Sequence, residues 1–159
     1  MVQLVRVAGE LPEGFAALRA AANAERFNAL RRLEAEWAAT PEMFVCLLAA
    51  SSPEGLSAIG GLTHEPEPGP ERAMRVRRLY VHPDARRCGV GRTLVNALVQ
   101  EALDSVTLVT VNARDTLAPS FWTQLGFRAV AGRPWTHEFR ADYSAAQTSG
   151  WWCAHRWAR

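Results

Sequence analysis

Two glycines and three arginines fall together in the stretch VHPDARRCGVGRTLV, residues 81–95. Their order suits a phosphate-binding loop. A helix N-terminus leaves its first backbone N–H groups without partners and carries a partial positive charge, so it draws anions. Glycine at 89 and 91 removes the Cβ atoms that would hold a ligand away from those groups. Arg86, Arg87 and Arg92 add long-range attraction and forked donors. The plainer reading is a glycine turn with solvated arginines. Cys88 lies inside the loop, where a thiol beside a helix N-terminus can accept an acyl group. Its plainer role is that of a small loop residue.

Two common owners of such loops are excluded. All 18 Lys-plus-Arg positions of the 159-residue chain are arginine. Without lysine there is neither a Walker-type P-loop nor a Schiff-base enzyme. A dinucleotide fingerprint needs G-x-G-x-x-G tight against its strand, but position 94 is leucine and residues 82–88 separate strand from glycine. His64, His82, His137 and His155 do not pair at metal-ligand spacing, so no metal is expected. Cys46, Cys88 and Cys153 suggest no disulfide framework. Seven arginines crowd residues 72–92, but only Tyr80 interleaves with them. Single-strand nucleic-acid sites interleave aromatics with their basic residues, so nucleic acid is not the expected partner.

The elements that must position this loop follow from periodicity. Residues 2–8 alternate as a first strand, and 12–22 and 25–38 read as helices, the second with a Phe27, Leu30, Leu33, Trp37 stripe. Residues 43–50 and 56–64 read as a hairpin around SSPEG. The strand over 73–82 breaks parity, because Met74 and Val76 fall on one face and Leu79 and Val81 on the other. One inserted residue near Arg77 or Arg78 would put all four on one face, which predicts a β-bulge. A helix over 89–103, a strand over 105–113, a helix over about 117–125 and strands in FRAVAG and WTHEFRA complete the order. It is a mixed α/β arrangement in one domain of suitable length.

At this point the loop resembles a known motif. L-Y-V-H-P-D-A-R-R-C-G-V-G-R-T-L is similar to the acetyl-CoA-binding motif of the GNAT superfamily of N-acyltransferases, in which a strand and V-x-P lead to Q/R-x-x-G-x-G/A at a helix start. Asp115, Ala118 and S-F-W-T-Q-L-G-F (120–127) resemble the family's N-x-x-A-x-x-F-Y-x-x-x-G-F segment. The resemblance covers residues 1 to about 143 and implies a mostly antiparallel twisted sheet of about seven strands. Strand 4 would be bulged and splayed, with about four helices flanking the sheet. It implies acetyl-CoA as cosubstrate, with the pyrophosphate on the N–H groups of Arg87, Cys88, Gly89, Val90, Gly91 and Arg92. Arg86 and Thr93 border that loop, and Asp115 stands at the family's asparagine. Leu79 and Val81 would pair with the pantetheine arm, Phe121 and Trp122 would flank it, and an N–H near Leu79 or Tyr80 would steady the carbonyl oxygen.

The resemblance also implies an N-acetyltransferase acting by direct transfer on a primary amine of a small molecule or peptide N-terminus. The alternative is a CoA-binding sensor without transferase activity. Departures from the pattern motivate that alternative: Arg75 stands near the family's glutamate base and Trp122 at its tyrosine acid. Indole N–H donates a hydrogen bond but is no acid near neutral pH. Substitute bases by residue type are His64, Glu65, His137 and Glu138. Phe27, Asn28, Trp135 and His137 are the acceptor-pocket candidates. Valine at Gly89 or Gly91 is expected to fill the pyrophosphate space and leave the fold intact. The tail 144–159 carries Trp151, Trp152 and Trp157, which suit packing on its own domain or on a second copy of the chain. The longest apolar run, 43–50, is too short to cross a bilayer, and residues 1–13 carry charges and proline early, so the expected location is cytoplasmic.

Overall fold

The computed structural model describes residues 1–67, 69–113 and 119–141. The tail 144–159 and Asp115 lie outside the described residues. Seven strands form one sheet in the order β1-β2-β3-β4-β5-β7-β6. They are β1 (Gln3–Arg6), β2 (Phe44–Ser52), β3 (Gly55–His64), β4 (Ala73–Val81), β5 (Leu108–Val111), β6 (Arg128–Ala129) and β7 (His137–Arg140). The helices are α1 (Phe15–Ala24), α2 (Ala29–Ala39), α3 (Val90–Leu103) and α4 (Pro119–Gln124). All pairings are antiparallel except β4 with β5.

The expected elements are present with shorter ends. The first helix starts after Gly14 rather than at Pro12. Residues 25–28 form the joint between α1 and α2, since the Glu25 N–H closes α1 on Ala21 and Ala22 and Arg26 takes a left-handed φ of 59°. The strand expected over 105–113 pairs only from Leu108 to Val111, and the one in FRAVAG is reduced to two residues.

The two sheet faces bury separate cores. On one face α3 packs Val90, Leu94, Val95, Leu98 and Val99 against Met74, Val76, Leu79, Val81, Val109 and Val111. Each buried side chain of this size contributes about 1.5–3 kcal/mol. On the other face α1 and α2 bring Phe15, Leu18, Leu30 and Leu33 onto Phe44, Leu47, Ile59 and Tyr80.

The parity slip in strand 4 is a real bulge. Tyr80 faces Ile59 and Arg77 faces Gly61, so Arg78 and Leu79 together oppose Gly60. Met74, Val76, Leu79 and Val81 consequently share one core face, and Tyr80 goes to the other. Arg78 absorbs the extra residue with φ 57°, a conformation that costs an L-residue roughly 1–2 kcal/mol. Its guanidinium is fixed on α2, where Nε donates to Glu36 Oε2 at 3.0 Å and Nη2 donates to Oε1. The same region ends the β4–β5 pairing. The four parallel pairs run from Ala73–Leu108 to Val76–Val111, after which β4 continues without β5. The sheet is therefore splayed beside the bulge.

Arg78→Val loses the ion pair and puts a β-branched residue at positive φ. It should lower unfolding free energy by about 2–4 kcal/mol in urea. Arg78→Gly relieves the backbone and loses the pair alone, so its urea midpoint should lie between those of the parent and the valine variant.

Candidate functional site

The loop and the splay form one continuous feature. Pro83–Ala85 make a short 3-10 turn after β4, with the His82 ring nitrogen accepting from the Asp84 N–H at 3.2 Å. Arg87 and Gly89 both adopt left-handed backbone, with φ of 63° and 80°, and α3 begins at Val90. Among the described residues, no group accepts from the N–H groups of Arg87 through Arg92. A Cβ built at Gly89 meets nothing within 4 Å, so the cradle over this helix end is open. Thr93 is exposed, and its hydroxyl donates to the Gly89 carbonyl at 3.0 Å. Cys88 is exposed.

The edge of β4 beyond the splay is also available. The His82 N–H donates to Ser57 O at 2.8 Å, so the antiparallel alternation puts Tyr80 in the next bonded pair and turns the Val81 backbone groups away from β3. Arg86 already uses one of them, as its Nε donates to Val81 O at 3.1 Å. Its two terminal nitrogens bind Glu25 at 2.8 and 2.6 Å, and its guanidinium lies over the Tyr80 ring. The Tyr80 hydroxyl donates to the same carboxylate at 2.6 Å, and its ring stacks on Phe27. Arg86 is therefore latched to the α1–α2 joint rather than standing free over the helix end. Arg86 and Tyr80 hold the Glu25 carboxyl down at about 2. Burial and then Glu25 push the Tyr80 hydroxyl well above its ordinary range, which removes it as an acid near neutral pH.

Helix α4 closes the other side of the loop. Phe121 is half-buried, and a Cβ at Gly91 would come within 3.3 Å of both Phe121 and Val81. Gly91 is thus the close-packing glycine and Gly89 the open one. Trp122 is 3% exposed and meets Phe121 and Phe127 edge to face, with centroids 5.1 Å away in each case. It packs as a core residue, and Phe121 is the ring beside the loop.

A family model described as Acetyltransferase (GNAT) family matches residues 13–127, nearly three quarters of the chain. The chain belongs to the GNAT acetyltransferase family. Its fold is that of an Exiguobacterium sp. 255-15 protein classed as an acetyltransferase, which is 25% identical with a TM-score of 0.78 over 88% of this chain and 93% of that one. A GNAT family N-acetyltransferase from Escherichia coli, solved in complex with CoA, is 14% identical with a TM-score of 0.65 over 92% and 85%. A GNAT family acetyltransferase from Brucella melitensis, solved with acetyl-CoA, is 16% identical with a TM-score of 0.60 over 86% and 91%. No curated protein matches the chain.

The sheet face under α1 and α2 carries the side chains of Arg75, Thr110 and Glu138. Arg75 is locked to Glu65 by two bonds of 2.9 and 2.6 Å, and Thr110 donates its hydroxyl to the same carboxylate. Three donor hydrogens from two side chains thus occupy the Glu65 carboxylate. Glu138 accepts from Trp135 and Arg140 at 3.0 Å each. Burial raises its carboxyl, but those two donors outweigh it and leave the group below its ordinary value. His64 is exposed at the end of β3.

The four acceptor-pocket candidates are not assembled. His137 faces Val111 on the α3 side, with Nδ1 2.9 Å from the Thr136 hydroxyl and a buried Nε2 that has no partner among the described residues. Trp135 sits with Ala73 and Leu108 on the opposite face. Phe27 lies against Tyr80, and Asn28 is exposed. Residue types offered Glu65, His137 and Trp135 as candidates but carried no sign of Glu25 or Glu36. Those two lie 61 and 42 residues from their arginines, and no local spacing marks them.

The Glu25 pair should appear in the acid limb of stability. The carboxyl lies near 2 in the folded chain against an ordinary 4.5, so the stabilisation is complete above the ordinary value. It disappears as pH falls from there towards 2. Glu25→Gln should flatten that limb in pH-dependent urea unfolding. The effect should be small, because the carboxylate is one-third exposed to solvent.

Proposed function

We propose that the chain is an acetyl-CoA-dependent N-acetyltransferase that acts by direct transfer on a primary amine of a small molecule or peptide N-terminus. The observation that carries this reading is the run of unpartnered N–H groups from Arg87 to Arg92 over an open Gly89, placed at the end of a splayed and bulged β4. Those groups and the α3 dipole suit a pyrophosphate. The outward Val81 backbone suits an added extended chain. At the bulge Arg78 and Leu79 share one cross-strand partner, an arrangement that suits a backbone N–H turned to a carbonyl oxygen. Acetyl-CoA would supply an acyl thioester there. The neutral amine forms the new C–N bond, the C–S bond breaks, and the amine proton passes to water. In this reading residues 1–143 are the transferase unit and 144–159 an appendage.

The arginine-rich stretch does not favour a nucleic-acid partner. Arg75, Arg78 and Arg86 are each held by a carboxylate. Among the described residues no helix is long and apolar enough to cross a membrane. One observation favours a second reading, a CoA-binding sensor. At the positions where the family keeps its base and acid, Arg75 is tied to Glu65 and Trp122 lies in the core.

CoA or acetyl-CoA at a hundredfold excess over Kd should stabilise the fold by about 2.7 kcal/mol, raising Tm by roughly 5–10 °C. No shift at millimolar ligand would sink both readings. Thiol release from acetyl-CoA with at least one amine in a panel separates the enzyme from the sensor, which would give the Tm shift alone.

The two glycines should part company in the same assay. Gly89→Val should abolish the CoA-induced shift at a modest stability cost, because its side chain enters open space from a left-handed backbone. Gly91→Val must displace Phe121 and Val81, so it should also lower the Tm of the unliganded protein by several degrees. An intact CoA shift in Gly89→Val would mean that the anion sits elsewhere.

A further inference from the structure

Three consecutive arginine-bearing positions of β4 share the region beside the splay, and among the described residues only two of them make side-chain hydrogen bonds. Arg75 is held by Glu65 and Arg78 by Glu36, each through two hydrogen bonds. Arg77 lies between them, its side chain 21% exposed, and its nearest carboxylate oxygen is Glu36 Oε1 at 3.5 Å. That oxygen is already taken by Arg78. Arg77 makes no hydrogen bond among the described residues, although a guanidinium presents five donors in a fixed fork. Three guanidiniums thus share two carboxylates, and Arg77 has the weaker hold on Glu36. A covered cation without a hydrogen bond is costly to keep, which points to a ligand rather than to stability.

Its place in the fold says which ligand. Val76 is the last β4 residue paired with β5, and Arg78 is the bulge, so Arg77 stands at the mouth of the splay. Its side chain turns to Glu36 of α2, on the face away from α3. It therefore does not serve an anion held at the α3 N-terminus. It serves a molecule entering the splay from the α1–α2 side, where an amine would approach in the proposed reaction. A planar fork with free donors matches a carboxylate bidentately.

We infer that the amine accepted here carries its own carboxylate, as in an amino acid, and that Arg77 holds that carboxylate while the amine enters the splay. This rests on the transferase reading above. In place of the absent base and acid, Arg77 contributes position: it fixes the nucleophile beside the bulge.

The test compares each amino acid with its amide, glycine against glycinamide and β-alanine against β-alaninamide. Thiol release is measured, and calorimetry is run on the same compounds with and without saturating CoA. The acids should show KM values about tenfold or more below those of the amides, as expected for losing a charged hydrogen-bonded pair. Arg77→Gln should erase that ratio and leave the CoA-induced Tm shift intact, with Arg77→Lys restoring part of the ratio. The unliganded Arg77→Gln protein should be about as stable as the parent, because Glu36 keeps both hydrogen bonds from Arg78 and only a 3.5 Å ion pair is lost, so loss of the ratio would not reflect unfolding. Amides used as well as acids, or a ratio that survives Arg77→Gln, would overturn the inference and leave the transferase reading standing. Absence of any CoA shift would overturn the transferase reading instead, and calorimetry of the acids would still decide whether Arg77 holds a carboxylate.

Discussion

The extra residue in β4 sets the geometry on which the rest of the molecule depends. Without it, Met74 and Val76 would face one core and Leu79 and Val81 the other, and the surface under α3 would lose two of its apolar residues. With it, all four side chains meet Leu94, Val95 and Leu98, and the N-terminus of α3 is brought to the end of the strand. The insertion has an energetic cost in the left-handed backbone of Arg78, offset by the two bonds from that side chain to Glu36. Burial alone would raise the Glu36 carboxyl, but Arg78, Arg77 and Arg32 outweigh it and keep the group ionised. One local irregularity thus ties α2 to β4 and fixes where β4 leaves β5.

The irregularity was legible in the sequence because it is a short-range signal. Strand parity has a period of two, and a slip between Val76 and Leu79 is visible within six residues. The glycine loop, α3 and the order of elements were legible for the same kind of reason. Strand ends were not, since pairing decides them: β5 stops at Val111 where β4 leaves it, and β6 keeps only Arg128 and Ala129. Partner choice was not legible either. Arg86 belongs by position to a phosphate loop, yet it is tied to a carboxylate from the other end of α1. Trp122 stands where the resembled motif has a tyrosine, and its indole packs edge to face against Phe121 and Phe127.

The arginine cluster shows how composition misleads when partners are distant. Seven arginines in one stretch of residues look like a basic surface. In the fold, carboxylates from α2, from the α1–α2 joint and from the end of β3 take up Arg78, Arg86 and Arg75 in turn. Of the four that remain, Arg72, Arg87 and Arg92 are exposed, and Arg77 is the half-buried one that makes no hydrogen bond among the described residues. Burial first, and then the Arg78 charge, lower its affinity for its own proton. A guanidinium nonetheless stays charged across the working pH range, so the tension persists until an anion relieves it.

That tension bears on how transfer can run without the usual acid and base. The leaving group in the proposed reaction is a thiolate, whose conjugate acid titrates near about 8.5, so an acid at position 122 would help but is not required. The harder demand is a neutral amine. A free carboxylate on the acceptor would raise the pKa of its own amine by favouring the ammonium form. A carboxylate paired with Arg77 loses most of that influence, and Arg75 and Arg78 nearby disfavour a second cation. The guanidinium that positions the acceptor would therefore also shift its amine towards the reactive form, and water can carry the proton away. In that arrangement arginine at position 75 is compatible with activity, because the work of a base is shared between a buried charge and the solvent.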